Sequence, residues 1–501
     1  MTGPAGPGGP QELLSWGRPR ARWVLAATVL GSALSFLDAT VVNIALPSLG
    51  ADLGAGTAAL TWVVNAYALT LAALVLLGGA LGDRYGRRRI YLLGVTVFAA
   101  SSALCGLAPD VTVLVLARAA QGVGGALLTP AGLAILQASF APADRARAIG
   151  AWSGLTGVAA AVGPFVGGWL VQVASWRWVF LINLPLALAV VVISRRCVPE
   201  SRGPGPGARP DVPGSALLAL ALGALTYGLT TAAEAGPGAP VPVGLLAGGL
   251  LLLAGFLLWE RRAPAPVLPP GLLGERLFVV VNLATFLVYA ALGALFFALV
   301  VTLQVGAGFS PPAAGLALLP VTVLMLLFSS RVGALMRRTG PRVLLTAGPL
   351  LAAAGAALLG RLGPGAGYVL DVLVPVTVLG AGLTLLVTPL TATVLAALPE
   401  GRAGLASGVN NAVARTGGLL AVAAVPLVGG LEGGGLTDPQ RVGEAFAVVG
   451  RVCAGLLLAA GLLSALLVRS PGAESGPARG GPAPAQPPGK SGRSGGSGPS
   501  Y

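Results

Sequence analysis

Gly79-Ala80-Leu81-Gly82-Asp83-Arg84-Tyr85-Gly86-Arg87-Arg88-Arg89 interrupts two long apolar runs, 59–81 and 90–108. Small residues at its start let the first run end close against a neighbouring helix, and Gly86 permits a tight turn. Four arginines in six positions hold the turn out of lipid on one side of a membrane. Asp83 stands where it can cap a helix end or pair with an arginine across a helix–helix interface, an arrangement able to form in one state and break in another.

The same pattern of apolar runs and arginine clusters continues in both directions. A bilayer core needs about 20 apolar residues per helical span. Fourteen segments meet that requirement: 23–46, 59–81, 90–108, 111–136, 147–172, 177–197, 214–233, 241–259, 278–303, 312–332, 343–361, 368–396, 403–430 and 446–468. With the N-terminus inside, 25 of the 31 basic residues fall on the inner side, so span count and orientation support each other. Arg118, Arg415 and Arg451 lie within spans, while Arg177, Arg361 and Arg441 lie at outer edges. The net charge of +14 is therefore an orientation signal, and a nucleic-acid partner is not expected.

Composition agrees. The 501 residues are 55% hydrophobic and 10% charged, far below the roughly 25% charged of soluble domains. There is no histidine, which removes His-based bases and metal sites, and Cys105, Cys197 and Cys453 have no metal-ligand spacing. No G-x-x-x-x-G-K-[ST] loop occurs, so ATP-driven pumping by this chain alone is excluded. Residues 1–22 and 469–501, rich in Gly and Pro, read as disordered cytoplasmic ends, and no signal peptide is expected. The Pro/Gly-rich stretch 201–214 reads as a hinge.

Residues 79–89 resemble the loop motif of the major facilitator superfamily, G-x-L-x-D-R-x-G-R-[KR]-x, at every position. In the first span, Leu37-Asp38-Ala39-Thr40-Val41-Val42-Asn43-Ile44-Ala45-Leu46-Pro47 resembles the first-helix motif of the fourteen-helix drug:proton antiporters. Arg118-Ala119-Ala120-Gln121-Gly122-Val123-Gly124-Gly125-Ala126 resembles that family's fourth-helix motif. Gly150, Gly154, Gly163-Pro164 and Gly167-Gly168 resemble its fifth-helix motif, with Ala159 in place of one glycine. Further likenesses lie at 176–185, 211–214 and 404–411, so the resemblance covers roughly 22–468. The second-half loop, 333–340, departs from the pattern, with Arg337 where the first half has Asp83.

The resemblance implies an all-α membrane protein of the major facilitator fold. Two six-helix bundles, 23–197 and 277–468, would be joined by 198–276, a linker with two extra helices outside the central cavity. It implies no enzyme and no cofactor, with the proton gradient as energy source. Asp38 lies about 15 residues, roughly 22 Å, into its span. It is the only carboxylate well inside the first six spans, a costly placement that marks a functional site, although pairing with Thr40, Asn43 or a neighbouring helix would also account for it. Arg118 cannot lose its proton, so Asp38, backbone carbonyls or the outer interface must satisfy it. The resemblance gives Asp38 and Arg118 roles in proton coupling. It gives Asp83, Arg84, Gly86, Arg87, Gly163 and Pro164 roles in conformational gating.

The candidate substrate lining is polar or aromatic within spans: Asn43, Trp62, Asn65, Tyr67, Gln121, Trp152, Asn282, Tyr289, Gln304, Asn410, Asn411 and Arg415. Each also reads as an interhelical hydrogen bond or an interface anchor. Since no second acid is evident at membrane depth, a neutral or singly cationic amphipathic compound is the expected substrate. The expected activity is proton-coupled efflux of drugs or antibiotics by a monomer in the cytoplasmic membrane, with both termini cytoplasmic. A proton-coupled symporter on the same fold and a non-transporting membrane protein are the alternatives.

Overall fold

In the computed structural model, the described residues are 13–203, 210–398, 403–431 and 438–468. Fourteen helices among them are long and apolar enough to cross a membrane. They are α1 (Pro19–Leu53), α2 (Thr57–Tyr85), α3 (Arg87–Gly106), α4 (Val111–Ser139), α5 (Pro142–Val173), α6 (Trp178–Cys197) and α7 (Val212–Ala235). There follow α8 (Pro240–Glu260), α9 (Arg276–Gly306), α10 (Pro311–Thr339), α11 (Pro341–Leu359), α12 (Tyr368–Ala396), α13 (Leu405–Gly429) and α14 (Pro439–Leu467). The chain is a multi-pass membrane protein.

The helices match the expected spans in number and order and differ at their ends. α1 runs past Pro47, which sits inside the helix, and stops where Gly54 takes a left-handed φ of 60°. Pro at the first turn starts α1, α5, α7, α8, α10, α11 and α14, a position where its missing N–H costs nothing.

Part of the N-terminal stretch expected to be disordered, 1–22, is ordered. Residues 1–12 lie outside the described residues, as do the 469–501 tail and 204–209 of the hinge. Residues 13–18 are docked, and α1 starts at Pro19. Leu14 exchanges backbone hydrogen bonds with Ser139 and Ala141, and the Trp16 backbone N–H donates to Asp144 Oδ2 at 2.8 Å. The Trp16 ring lies between Phe140 and the Arg147 guanidinium, so one aromatic residue in a Gly/Pro-rich stretch finds enough contact to order its neighbours.

α1–α6 and α9–α14 form two six-helix groups, and α7–α8 is a hairpin between them in sequence. Glycines set the close crossings. A side chain at Gly78 would strike the Ala126 carbonyl, and one at Gly124 would lie 2.5 Å from the Phe98 backbone nitrogen, which draws α2 and α3 against α4. Gly355 and Gly382 do the same for α11 and α12.

The buried apolar side chains divide unevenly. One cluster is confined to residues 21–198 and fills the arginine-rich half of the first group. Another is continuous from Leu46, Leu49, Leu60 and Trp176 into Leu295, Leu299 and Leu303 of α9. The two groups therefore share a core at the arginine-poor end. Gln304 Nε2 donates across it to the Ile44 carbonyl at 3.0 Å, and Gly168 of α5 abuts the Pro311 carbonyl of α10.

α7 packs along the seam between α2 and α13, where Leu222 joins Ala72, Ala73 and Leu419. α8 packs on α7 through Gly249 against Leu225 and Gly228 against Leu246. At the base of the hairpin Asp211 caps α7 by accepting from the Gly214 N–H at 2.9 Å, and it also accepts from Trp259 Nε1 at 3.0 Å. Buried Glu260 accepts from the Leu268 N–H at 2.8 Å, which ties down the chain leaving α8.

Candidate functional site

Asp38 and Arg118 meet inside the first helix group. Arg118 Nη1 donates to Asp38 Oδ2 at 2.5 Å, and both side chains are sealed, at 0% and 1% exposure. A buried charge pair persists only when its remaining donors and acceptors are also met. Here they are. Gln121 Nε2 donates to Asp38 Oδ1 at 2.8 Å and Asn183 Nδ2 to the same oxygen at 3.3 Å. Arg118 also donates from Nη1 to Gln121 Oε1 at 2.7 Å and from Nε to the Val63 carbonyl at 3.0 Å.

The guanidinium carbon lies 4.4 Å from the Tyr67 ring centroid and 5.8 Å from that of Phe180, so two aromatic faces cover the cation. The Tyr67 hydroxyl is 2.7 Å from Ser35 Oγ. Ser102 completes the shell, accepting from Gln121 at 3.2 Å and Asn183 at 3.0 Å and donating to the Phe180 carbonyl at 2.8 Å. Five helices contribute: α1 brings Asp38, α2 Tyr67, α3 Ser102, α4 Arg118 and Gln121, and α6 Asn183. Arg118 and Gln121 are three apart and so share a face of α4, which lets one carboxylate engage both.

A second polar group lies on α13. Arg415 Nε donates to Asn411 Oδ1 at 2.9 Å, one turn back on the same face. Asn410 Nδ2 donates to Asn282 Oδ1 at 3.1 Å and to Thr285 Oγ1 at 2.8 Å, which joins α13 to α9.

The arginine-rich loop is held within the first group. Arg87 pairs with Asp83 at 2.8 Å and donates to the Ala134 carbonyl of α4 at 3.3 Å. Arg88 donates from its backbone to Glu200 Oε1 at 2.9 Å and from Nη1 to the Val198 carbonyl at 3.0 Å. The Asp83 carbonyl accepts from the Gly203 N–H at 3.0 Å. Arg84 lies over the ring of Tyr85, its guanidinium carbon 5.3 Å from the centroid. In the second half, Arg337 Nη1 donates to the Gly333 carbonyl of its own helix.

Residues 28–422 match the sequence family described as Major Facilitator Superfamily. The chain belongs to the major facilitator superfamily. The puromycin resistance protein pur8 of Streptomyces alboniger is 40% identical over 413 residues, covering 81% of each chain. The cephamycin export protein CmcT of Amycolatopsis lactamdurans is 37% identical over 430 residues, with 84% of this chain and 88% of that one covered. Among solved structures, a bacterial homolog of the human lysosomal transporter Spinster superposes with a TM-score of 0.62 at 19% identity, covering 91% of this chain and 100% of that one. A POT family transporter superposes with a TM-score of 0.67 at 14% identity over 92% and 99% of the two chains. These last two likenesses are of fold. Members of this superfamily are transporters, and this chain is one.

Within that frame the residues singled out from sequence separate into groups. Asp38, Arg118, Gln121 and Tyr67 form one cluster, and Asn282 with Asn410 forms another. Gln304 sits at the contact between the helix groups. The Trp62 ring faces Tyr227 of α7, with centroids 5.9 Å apart, so it supports the hairpin packing. Trp152 ties α5 to α1 through Ser32 Oγ at 3.1 Å. Asn65 is fully buried with neither amide atom paired, and Asn43 Oδ1 is likewise unpaired. Tyr289 is half-buried on α9. Ser102 and Asn183 were missed. Asn183 lies in the stretch quoted at 176–185, but nothing in that stretch says that it reaches Asp38.

Gly86 and the α5 glycines have distinct local reasons. Gly86 has φ 114°, and a Cβ there would lie 2.8 Å from the Glu200 carboxylate. Gly86→Ala is expected to lower stability by about 1–3 kcal/mol through this backbone strain. Thermal unfolding of the purified protein checks this, and an unchanged midpoint would show that the loop relaxes freely. On α5, a side chain at Gly163 would strike Thr40, and one at Gly167 would lie 2.6 Å from Val41. Around Gly150, Gly154 and Gly157 there is nothing within 4 Å. The α5 glycines beyond Pro164 are thus in backbone-close contact, whereas Gly150, Gly154 and Gly157 face open space.

Proposed function

We propose that this chain exports amphipathic drugs or antibiotics across the cytoplasmic membrane in exchange for protons. Residues 23–197 and 277–468 rock as two bundles, and 198–276 connects them. The arginine-rich side, with both termini, is cytoplasmic, the protein works as a monomer in lipid, and the proton gradient replaces any cofactor. The observation that carries this reading is the sealed Asp38–Arg118 pair, set in a chain whose relatives are named for resistance and export.

Both carboxylate oxygens of Asp38 accept hydrogen bonds, Oδ2 from Arg118 and Oδ1 from Gln121 and Asn183. A proton on Oδ2 removes the acceptor of Arg118 Nη1 and the charge that balances it. The guanidinium then keeps Val63, Gln121 and the Tyr67 face, and Tyr67 reports the change to α2 and the seam beyond it. With the shared core joining the bundles at the arginine-poor end, this conformer opens toward the cytoplasm. Drug enters there, the bundles rock, and protonation of Asp38 from outside accompanies release. Asp83 and Arg87 hold the first bundle's loop together through the swing, and the Gly163-Pro164 region is the pivot.

Inverted membrane vesicles test the exchange. Adding a transported drug to vesicles holding an acid interior should collapse the pH gradient and load the drug, and a protonophore should stop loading. Loading that ignores the protonophore would overturn the coupling. Gradient-driven accumulation in right-side-out vesicles would instead favour the symporter.

A further inference from the structure

Arg118 and Arg415 are both arginines well inside spans, and their surroundings differ. Arg118 has a carboxylate, an amide oxygen, a backbone carbonyl and two aromatic faces. Arg415 has one neutral acceptor, Asn411 Oδ1, and no ion pair among the described residues. It lies ten residues along α13 from Leu405, roughly 15 Å at 1.5 Å per residue, so water at the helix ends is distant. Just beyond it on α13, Gly417 and Gly418 face the Phe286 and Tyr289 carbonyls of α9, and Leu419 packs with Ala72 and Ala73 of α2. Arg415 therefore sits at the seam where the two bundles face each other, half-buried and obligatorily charged.

Among the described residues no acid pairs with it. Asp38 is the carboxylate at comparable depth in the first six spans, and it is saturated by Arg118, Gln121 and Asn183. In the second half, Asp371 and Glu444 stand near the arginine-poor ends of α12 and α14. A mid-span charge is costly unless something compensates it. Arg415 Nε is used, and the two terminal nitrogens remain, the fork that binds a carboxylate, sulfonate or phenolate with two parallel hydrogen bonds.

We infer that Arg415 is the charge-recognising residue of the export site and that the preferred substrates are amphipathic monoanions. This rests on the export reading above and reverses the charge expected from counting acids. An anion supplies the missing countercharge at the seam, while a cation would meet Arg415 with no acid free to offset it.

The test uses three fluorescent dansyl amphiphiles of matched size, ending in a carboxylate, a methyl ester or a trimethylammonium group. Binding to the purified full chain is read by anisotropy, and gradient-driven loading is read in inverted vesicles. The carboxylate should bind at least tenfold more tightly than the trimethylammonium compound. Arg415→Gln should erase that difference while leaving the ester within about twofold, and Arg415→Lys should retain most of it. Equal binding, a preference for the cation, or an R415Q effect of the same size on all three probes would overturn the inference. A charge preference in binding without gradient-driven loading of any probe would leave the inference standing and overturn the export reading. Loading of all three regardless of charge would do the reverse.

Discussion

Replacing Asp38 by asparagine is expected to reduce gradient-driven efflux to background and to destabilise the protein. Asparagine keeps the shape and one acceptor oxygen but carries no charge and takes up no proton. Arg118 is then a sealed cation with only neutral partners. Removing one member of a buried pair costs about 3–5 kcal/mol, so the single variant should unfold at clearly lower temperature in detergent. Arg118→Gln should be similarly unstable, because it strands the carboxylate instead. The double variant, D38N with R118Q, removes both charges and should recover most of the lost stability without recovering efflux. The pattern separates the two roles of the pair: stability follows charge balance, and transport follows the titratable oxygen. Protonophore-sensitive efflux that survived in D38N would sink the proton assignment. A double variant as unstable as either single would show that hydrogen bonding, and not charge balance, holds the cluster.

The parts of this site visible in sequence are those whose physical cost is local. An acid and an arginine deep inside apolar runs are conspicuous wherever their partners lie, and Gln121 follows from Arg118 by helical spacing. Ser102 and Asn183 are different. A serine inside a span ordinarily satisfies itself on the carbonyl one turn back, as Thr28, Thr61 and Thr96 do here. That Ser102 instead joins Gln121 and Asn183 depends on how α3 and α6 are rotated against α4, which no local pattern encodes. Trp62 shows the same limit. Its face of α2 looks free for substrate until α7 is laid along the seam. Span number, by contrast, was legible throughout, because length and hydropathy are properties of each segment alone. Residues 13–18 show where composition misled: the Gly/Pro content suggested disorder, while Leu14 and Trp16 anchor the stretch.

Gly168→Val is expected to hold the transporter open at its arginine-poor end. A Cβ at Gly168 would lie 2.5 Å from the Pro311 carbonyl oxygen and 2.7 Å from its carbon. The obstruction is backbone at the start of α10, with Pro312 immediately behind it, so no side chain can rotate away. Reciprocally, Gly315 lies against the Pro164 carbonyl. The closed conformer therefore requires bare backbone on both helices, whereas a conformer with the ends apart does not. Overpacking costs typically 1–3 kcal/mol. About 2 kcal/mol charged to one conformer alone shifts the ratio of the two by roughly thirtyfold. Efflux should fall by about tenfold or more, because the cycle must pass through the closed end. An Ile44→Cys reporter, whose position is fully buried beside Gln304, should become reactive to a membrane-impermeant maleimide from the arginine-poor side only when Gly168→Val is present. Gly157→Ala lies on the same helix where a Cβ meets nothing within 4 Å, and it should leave labelling and efflux near wild type. If Gly168→Val leaves both unchanged, the closure does not depend on that crossing. If Gly157→Ala is equally damaging, the fault lies in α5 itself and not in its contact with α10.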